Sequence, residues 1–322
     1  MTTDQPAPLL DLLATLDLEE LGSAQVSVQP LSTAGALAGR APEPLPETFA
    51  EDITLFRGQS QKQPHGRVFG GQVLAQGVVA CGRTVRAVEG GGDRRLHSIH
   101  AYFMRPGDDT QPITFSVERM RDGRSFSTRR VHAIQHGKPI LSMSASFQTP
   151  DQGMDHQDPM PDAPDPMTVP SLVDVFAGVD HPGARHLAES RPIELRPVES
   201  NMFLDAGPEQ VATNHVWMRA IDRLPDDPLL HAAVLAYSSD YSLLEPVLRR
   251  HGLVWTDRRL RVASLDHSMW FHREVRVDEW LLYAQQSPSA VSGRGLSIGE
   301  IFSQDGTLVA TTAQEGMVRV KS

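Results

Sequence analysis

The sequence predicts an α+β fold built from two similar halves, each with one central helix wrapped by an antiparallel sheet. The first observation is an order of elements that occurs twice: an apolar helix, then four segments of strand character separated by turn residues. The second is a set of matching residues at nearly constant spacing. His100 and His267 are 167 residues apart, and Gly137 and Gly306 are 169 apart. One helix wrapped by an antiparallel sheet is the hotdog arrangement, so the repeat predicts a double hotdog. The alternative is a pair of unrelated α+β domains.

Length and composition limit the class of protein. The chain has 322 residues, 40% hydrophobic and 22% charged, which is ordinary globular composition and suggests about two domains. A net charge of −10 is opposite to that of a general nucleic-acid or anionic-membrane binder. No apolar run reaches the ~18 residues that span a bilayer, and Met1 to Pro8 lack a secretory-signal pattern. The single cysteine, Cys81, excludes a disulfide framework and a cysteine-based zinc site. We therefore expect a soluble, intracellular, acidic protein.

Two irregular segments separate the predicted domains. Residues 1–50 combine a short amphipathic helix at Leu9–Leu21 with a flexible insert at 22–48 that is rich in Ala, Gly, Ser and Pro. Six prolines fall between Pro150 and Pro170, which excludes a regular helix or an interior strand there. We therefore predict an N-terminal hotdog at 51–149, a Pro-rich linker at 150–190 and a C-terminal hotdog at 191–322.

The first half begins with a helix of small and apolar residues, Gly70–Val85. Four segments of strand character follow it: His97–Met104, Ile113–Met120, Ser125–Gln135 and Pro139–Gln148. The pairs Asp122-Gly123 and His136-Gly137 between them are typical of tight turns. The helix is the expected buried centre of this half, and the strands are its sheet.

The second half repeats this order. Leu230–Leu248 has helical character, and the strand-like segments after it are Ala263–His272, Glu279–Ser287, Arg294–Ser303 and Thr307–Gln314. Asp305-Gly306 is typical of the hairpin turn between the last two. Gly295–Gly299 matches the Gly-x-Ser-x-Gly nucleophile motif, but that motif needs a sharp turn into a helix, whereas the alternation here continues as one strand.

Several long motifs point together to one protein family. They are Phe56-Arg57-Gly58, Phe69-Gly70-Gly71-Gln72, residues 97–107 and Gly137-Lys138-Pro139-Ile140 in the first half, and residues 266–273, Glu279-Trp280-Leu281-Leu282-Tyr283 and Gln314-Glu315-Gly316 in the second. They resemble the type II acyl-CoA thioesterases, the TesB family, over most of residues 51–318. The insert at 22–48 has no counterpart in the family pattern. The resemblance implies a double hotdog that hydrolyses acyl-CoA to free fatty acid and CoA.

The resemblance also implies a catalytic triad. The family's Asp, Thr or Ser, and Gln fall on Asp240, Ser264 and Gln314 of this sequence. Because a thioester carbonyl is already electrophilic, a positioned water is sufficient, and no metal or other cofactor is expected. Asp240 would accept the proton of this water as general base, while Gln314 or a backbone N–H at a helix start stabilises the oxyanion. A carboxylate among small and apolar neighbours needs such hydrogen-bonding partners.

The repeat predicts one reactive site per chain. In the N-terminal half, the positions that match the triad carry different side chains: Val79, His97 and Ala145. The chemical groups are therefore not duplicated, whereas scaffold positions are. We expect catalysis in the C-terminal half, with the N-terminal half retained for packing and substrate binding.

Substrate contacts are expected at the start of the first helix and at an arginine. The backbone N–H groups at Gly70, Gly71 and Gln72 could receive a carbonyl or a CoA phosphate, although paired glycines also allow close packing. Arg105 is the arginine assigned to substrate, and the others that could complete a basic patch are Arg57, Arg67, Arg129 and Arg130. Each could instead be a surface charge or a salt-bridge partner.

Two Asp and His pairs are alternatives for acid–base chemistry. Asp266 and His267 are adjacent on a predicted strand, so their side chains point to opposite faces, and we expect a structural role for His267. Asp226 and His231 have the five-residue spacing of hotdog enoyl-CoA hydratases, but the prolines around them indicate a turn at a helix start.

The leading interpretation is an acyl-CoA thioesterase. A hotdog enoyl-CoA hydratase and a non-catalytic acyl-CoA-binding protein are the alternatives, and the complete triad argues against the second. Sheet edges and an apolar sheet face predict association into a homodimer or a higher homo-oligomer. Acyl-CoA is the expected partner, whereas nucleic acid and membrane are not. The C-terminal Val320-Lys321-Ser322 lacks the peroxisomal Ser-Lys-Leu signal, so cytoplasm is the expected location.

Overall fold

The computed structural model describes residues 6–28, 49–176, 179, 184, 188 and 190–321. The elements of the first half are α1 (Ala7–Leu16), β1 (Glu19–Val28), β2 (Phe49–Gly58), α2 (Gly70–Arg86), β3 (Arg95–Phe103), β4 (Ile113–Asp122), β5 (Phe126–Gln135) and β6 (Lys138–Gln148). A 3-10 turn at Pro166–Thr168 and α3 (Leu172–Phe176) follow. The second half contains β7 (Ile193–Pro197), β8 (Thr213–Ala220), α4 (Pro228–Ser239), α5 (Glu245–Arg250), β9 (Leu260–Ser264), β10 (Asp266–Phe271), β11 (Leu281–Val291), β12 (Arg294–Ser303) and β13 (Leu308–Val320).

One continuous antiparallel sheet carries both halves. Its strand order is β1-β2-β4-β5-β6-β3-β10-β13-β12-β11-β8-β7, with β9 paired to β13 beside β10. The halves meet at β3 and β10, where the buried Ile99 lies opposite the buried Met269. From this junction outward, β3-β6-β5-β4-β2 in one half corresponds to β10-β13-β12-β11-β8 in the other. The order is the double hotdog that the sequence predicts, and the alternative of two unrelated domains is wrong.

The two central helices, α2 and α4, pack against each other in opposite directions on the inner face of this sheet. Gly71 of α2 lies against Tyr237 near the end of α4, whereas Gly82 lies against Leu229 near its start. Gly71 to Gly82 of α2 are all buried, because the sheet covers one side of the helix and α4 the other. Each fully buried aliphatic side chain of this layer stabilises the fold by about 1.5–3 kcal/mol.

Equivalent hairpin turns confirm the repeat. Gly137 joins β5 to β6 with φ of 69°, and Gly306 joins β12 to β13 with φ of 90°. Both are left-handed conformations, which glycine adopts without steric cost. The 169-residue match between them therefore reflects the same backbone requirement in both halves.

Several predicted boundaries are wrong. The N-terminal helix ends at Leu16 rather than Leu21, and residues 22–28, predicted as part of a flexible insert, belong to β1, because pairing with β2 satisfies their backbone groups. The rest of that insert lies outside the described residues. The single helix predicted at Leu230–Leu248 is two helices, since Pro246 cannot lie inside a continuous helix.

The strands that precede each central helix, β2 and β8, were not predicted, and the predicted strand Ala263–His272 is interrupted at Leu265. Although α3 lies inside the predicted linker at 150–190, the Pro-rich stretch of that linker has no regular secondary structure between 151 and 165. It nevertheless packs on the second half, where Trp217 Nε1 donates to the carbonyl of Pro164 at 2.9 Å.

Candidate active site

The site lies where α4 ends against the start of α2. Asp240 is the residue that caps α4, with φ of −87° and ψ of −1°, rather than a residue inside the helix as predicted. A Cβ atom at Gly70 would lie 2.6 Å from Oδ2 of Asp240, and one at Gly71 would lie 2.3 Å from the carbonyl oxygen of Tyr237. The two glycines therefore allow the amino end of α2 to touch the Asp240 carboxylate, where the helix dipole favours negative charge.

The carboxylate of Asp240 is held by three donors in a largely buried position. The Gly71 N–H and the side chains of Gln314 and Ser264 hydrogen-bond to it, with Ser264 Oγ at 3.5 Å from Oδ1. Burial raises the pKa of Asp240 to about 7, against these hydrogen bonds, which lower it. Near neutral pH the group therefore exchanges protons readily, as a general base requires.

Ser264 and Gln314 come from paired strands. Gln314 lies on β13 with 1% of its surface exposed, and its Nε2 donates to Ser264 Oγ at 2.7 Å. Ser264 is the last residue of β9 and lies opposite Gly316. The three residues that the family resemblance assigned to catalysis thus form one hydrogen-bonded group, although they come from three different elements.

A β-bulge turns Ser264 toward this group. Ser264 and Ser268 are four positions apart, but their partners Gly316 and Ala313 are only three positions apart, so one extra residue interrupts the ladder near Leu265. Such an insertion changes the face to which the preceding side chains point. Without it, Ser264 would lie on the opposite face from Gln314.

His267 extends the hydrogen-bonded group inward, which sequence reasoning missed. It is fully buried, its Nδ1 lies 2.6 Å from Gln314 Oε1, and its Nε2 lies 3.0 Å from Ser239 Oγ. Burial lowers the pKa of His267 to about 4, so the ring is neutral at neutral pH. Asp266 points to the other face, where Oδ1 accepts the Glu315 N–H at 2.8 Å. The two therefore form no acid–base pair, in agreement with the sequence argument.

The structure does not bring the other two assigned substrate residues to the triad. Gln72 is fully buried, and its side chain accepts the Gln61 N–H at 2.9 Å and donates to the carbonyl of Gln59 at 3.3 Å. Its side chain thus fixes the segment before α2. Arg105 is exposed and donates to the carbonyl of Pro139 at 2.8 Å. Gly70 and Gly71 alone among the four substrate-binding candidates contact the Asp240 region directly.

Three of the four further arginines, Arg57, Arg129 and Arg130, form ion pairs with acidic side chains of the protein. Arg129 is fully buried and forms an ion pair with Asp122 at 2.8 Å, so its role is structural. Arg57 lies 3.6 Å from Glu19, and Arg130 lies 3.9 Å from Glu118. Their acidic neighbours are sufficient to explain these cations.

Aromatic side chains line the site beside Asp240. The Phe69 ring stacks on Tyr241 at 4.8 Å between ring centroids and meets Tyr237 edge-on at 5.2 Å. The guanidinium of Arg191 lies 4.1 Å above the Tyr241 ring. The i, i+4 spacing of Tyr237 and Tyr241 around the helix end was the available sequence signal for this wall.

The remaining sequence candidates are structural. Gly295–Gly299 lies inside β12, and its central Ser297 is fully buried, so no nucleophile turn exists there. Asp226 pairs with Arg276, and His231 Nδ1 accepts the Val277 N–H at 3.2 Å, so these two do not form a hydratase dyad. Within the described ranges, no group of three or more His, Cys, Asp or Glu could hold a metal ion. No helix of those ranges has the length and apolar character of a membrane span.

A cavity of about 960 Å³ lies at the other end of the helix pair, away from Asp240. Val85, Leu229 and His231 are part of its wall. Asp240, Ser264 and Gln314 are not among the residues that line this cavity.

Comparisons with known proteins agree with this geometry. A family profile described as "Acyl-CoA thioesterase" matches residues 185–317, and one described as "Acyl-CoA thioesterase N-terminal domain" matches residues 59–148. Acyl-CoA thioesterase 2 of Haemophilus influenzae is 40% identical over 83% of this chain and 93% of its own length. Acyl-coenzyme A thioesterase 8 of Homo sapiens is 39% identical over 84% of this chain and 86% of its own. The crystal structure of the acyl-CoA thioesterase II TesB2 from Mycobacterium marinum is 44% identical, with a TM-score of 0.66 over 83% of this chain and 94% of its own. The chain therefore belongs to the acyl-CoA thioesterase family.

Proposed function

We propose that the chain hydrolyses acyl-CoA to a free acid and CoA with a water activated by Asp240. The observation that carries this proposal is the contact of Asp240 with Ser264, Gln314 and the amino end of α2, together with a carboxyl pKa of about 7. A base, two polar side chains and a helix start thus converge on one point, which is the set of groups that attack on a thioester requires.

The chemistry follows from these positions. Asp240 takes one proton from the water, and the oxygen forms a bond to the thioester carbon while the carbonyl electrons move to oxygen. Besides the Gly71 N–H, which holds Asp240, the first turn of α2 has further backbone N–H groups without intrahelical partners, and these stabilise the oxyanion. The intermediate then re-forms its C=O bond, the C–S bond breaks, and the proton on Asp240 passes to the departing CoA thiolate. Water and thioester become carboxylic acid and thiol.

Gln314 and Ser264 hold the base and the water. The amide of Gln314 donates to Ser264 at 2.7 Å, and both groups hydrogen-bond to Asp240. Hydrogen bonds to a carboxylate are stronger than those between neutral groups, so this arrangement favours the ionised base. A chain that bound acyl-CoA without turnover would have no need to bury a carboxylate in this way.

The repeat supports one such site per chain, in the C-terminal half. Val79 lies inside α2, Ala145 is a buried residue of β6, and His97 Nε2 lies 2.8 Å from Ser146 Oγ. These three matching positions of the N-terminal half hold no base with the partners of Asp240. A hydratase is not favoured, because Asp226 and His231 are not paired.

Thiol release from saturated acyl-CoAs of several chain lengths tests the proposal. Asp240→Asn preserves the shape of the side chain but removes the base, and we expect a loss on the order of 10²–10⁴-fold in kcat. Asp266→Asn is the matched control, because Asp266 is an acid of the second half whose carboxylate points away from Gln314 and accepts the Glu315 N–H. Near-normal turnover by Asp240→Asn would refute the assignment, whereas no release by the wild type would refute the activity.

We further propose that the chain acts in fatty acid metabolism in the cytoplasm as a homodimer or a higher homo-oligomer. Support for association comes from the outer face of the β3–β10 junction, where Tyr102 is 66% exposed and Trp270 is 38% exposed. Size-exclusion chromatography with light scattering measures the mass of the assembly directly. A monomer at micromolar concentration would contradict the proposal.

A further inference from the structure

We propose that His267 is a positioning residue, which fixes the orientation of the Gln314 side-chain amide so that its NH₂ group faces Ser264 and Asp240. The inference rests on the proposed function, because it assigns His267 to the same reaction through Gln314. The contact that carries it is the 2.6 Å separation between His267 Nδ1 and Gln314 Oε1, deep in the protein.

A glutamine amide needs a neighbouring group to fix its orientation. Its oxygen and its nitrogen have nearly the same shape, so a 180° turn about the last bond exchanges a donor for an acceptor. Ser264 cannot decide between the two orientations, since a hydroxyl both donates and accepts. With the oxygen turned outward, Gln314 would place partial negative charge near the Asp240 carboxylate instead of a donor. The group on the other side of the amide must therefore set the orientation.

A neutral, buried imidazole can make this choice. It has one N–H and one lone pair, so the partner of each nitrogen determines the partner of the other. If Nδ1 donates to Gln314 Oε1, then Nε2 accepts from the Ser239 hydroxyl at 3.0 Å. The complete chain of donors runs from Ser239 through His267, Gln314 and Ser264 to Asp240.

The reverse direction is less favourable when Asp240 is ionised. The Ser239 hydroxyl also lies 2.9 Å from the carbonyl of Ala236, and donation there would leave His267 Nε2 to donate to Ser239. The amide would then turn its NH₂ group to His267, and Ser264 would donate to Gln314 rather than to Asp240. Because hydrogen bonds to a charged acceptor are the stronger ones, the carboxylate selects the direction that ends on it.

The fold fixes the geometry of this series of hydrogen bonds at both ends. The β-bulge near Leu265 places Ser264 and His267 on the same face, although they are three residues apart. Tyr283 Oη donates to the carbonyl of Ser239 at 3.1 Å, which holds the end of α4 against the sheet. His267 thus has no alternative position from which to reach a different partner.

Loss of the His267 imidazole should change kcat more than it changes KM. Gln314 lowers the pKa of Asp240 by donating to it, so an amide free to turn leaves that pKa higher. The acidic limb of kcat/KM against pH then moves to higher pH, and kcat falls at pH 7 while KM changes little. A histidine that only filled space would give neither effect.

The test compares two amide substitutions of similar size. His267→Asn keeps a donor attached to the γ carbon, where Nδ1 of the imidazole is attached, and can still reach Gln314 Oε1. His267→Gln places its amide farther out, toward Ser239, and leaves Gln314 without that donor. We expect a loss in kcat on the order of 10–100-fold for His267→Gln, with the acidic limb shifted, and a loss several-fold smaller for His267→Asn. His272→Gln is the control, since His272 bonds to Thr311 outside the site.

Equal losses for the Asn and Gln variants, with equal melting temperatures and no shift of the acidic limb, would overturn the proposal. Should both variants fail to fold, Ser239→Ala removes the partner of Nε2 with little change in volume and should still shift the limb. The nitrogen-15 shifts of His267 in the wild type give an independent reading, because an N–H on Nε2 would also overturn it. Asp240→Asn separates the two hypotheses: an active Asp240→Asn refutes the site itself, whereas an inactive one with a normal His267→Gln refutes only the positioning role.

Discussion

A methyl group added at Gly70 should disturb the Asp240 carboxylate more than it disturbs the fold. The new Cβ would lie 2.6 Å from Oδ2 of Asp240 and 3.1 Å from the Phe103 ring, whereas ordinary contacts begin at 3.4 Å. The carboxylate must therefore recede by roughly 0.8 Å from the start of α2. A displacement of about 1 Å at a reacting group can cost on the order of 10²-fold in rate. We expect Gly70→Ala to lower kcat/KM by about 10–100-fold.

The stability of this variant should change much less. Overpacking at one methyl typically costs about 1–3 kcal/mol, and the lower conformational entropy of alanine in the unfolded chain offsets about 0.4–1 kcal/mol of it. Gly77→Ala is the matched control on the same helix, because its Cβ would meet the flexible end of Met143 at 2.8 Å and is remote from Asp240. Thiol release and thermal unfolding are measured on both variants.

The two variants together separate a local effect from a general one. If Gly70→Ala loses activity and Gly77→Ala does not, at similar melting temperatures, close approach of the helix start to the carboxylate is required for hydrolysis. Full activity in Gly70→Ala would refute the reasoning, since the carboxylate would then tolerate a shift that the geometry makes unavoidable.

The other predictions concern the carboxyl and the hydroxyl groups. Because the folded-state pKa of Asp240 is about 7, kcat/KM should fall as pH drops below about 7, and a limb near pH 4 would contradict the assignment. Because the pKa of Asp240 is raised on folding, the free energy of unfolding decreases as the pH rises from about 4 to about 7, by at most roughly 4 kcal/mol. Asp240→Asn removes this penalty, so the substitution should raise the melting temperature more at pH 8 than at pH 5. Ser264→Ala should reduce kcat by about tenfold. Ser297→Ala, at the buried centre of the Gly-x-Ser-x-Gly motif, should leave kcat unchanged; the opposite result would support Ser297 as a nucleophile.

Periodic features of the sequence predicted most of the fold. Arg294–Ser303 was predicted with the bounds that the structure has, because alternation is regular along β12 and turn residues end it. The strands β2 and β8 were missed because apolar residues are consecutive in them, at Leu55-Phe56 and at Val216-Trp217-Met218, rather than alternating with polar ones. Local pattern also could not show that residues 19–28 pair with β2, since that choice depends on a distant partner.

The residues of the candidate site could be assigned from the family motif, but their arrangement could not. The family motif placed Asp240, Ser264 and Gln314, but Asp240 was expected inside a helix, and no pattern indicated the bulge that turns Ser264 inward. A bulge is one residue out of register and leaves no period in the sequence. His267 was assigned a structural role from its strand position, because the partner that gives it a role in the site, Gln314, lies 47 residues later.

The repeated half completes the site rather than adding a second one. Asp240 caps α4 in the C-terminal half, yet the Gly71 N–H that hydrogen-bonds to it belongs to the N-terminal half. The Phe103 N–H donates across the junction to the carbonyl of Leu265, at the bulge that positions Ser264. A carboxylate at the end of a helix and an unpaired carbonyl at a bulge are both costly to bury without donors. The N-terminal half supplies these donors, so the two copies are joined where the regular structure of the second copy is interrupted, at the end of α4 and at the bulge near Leu265.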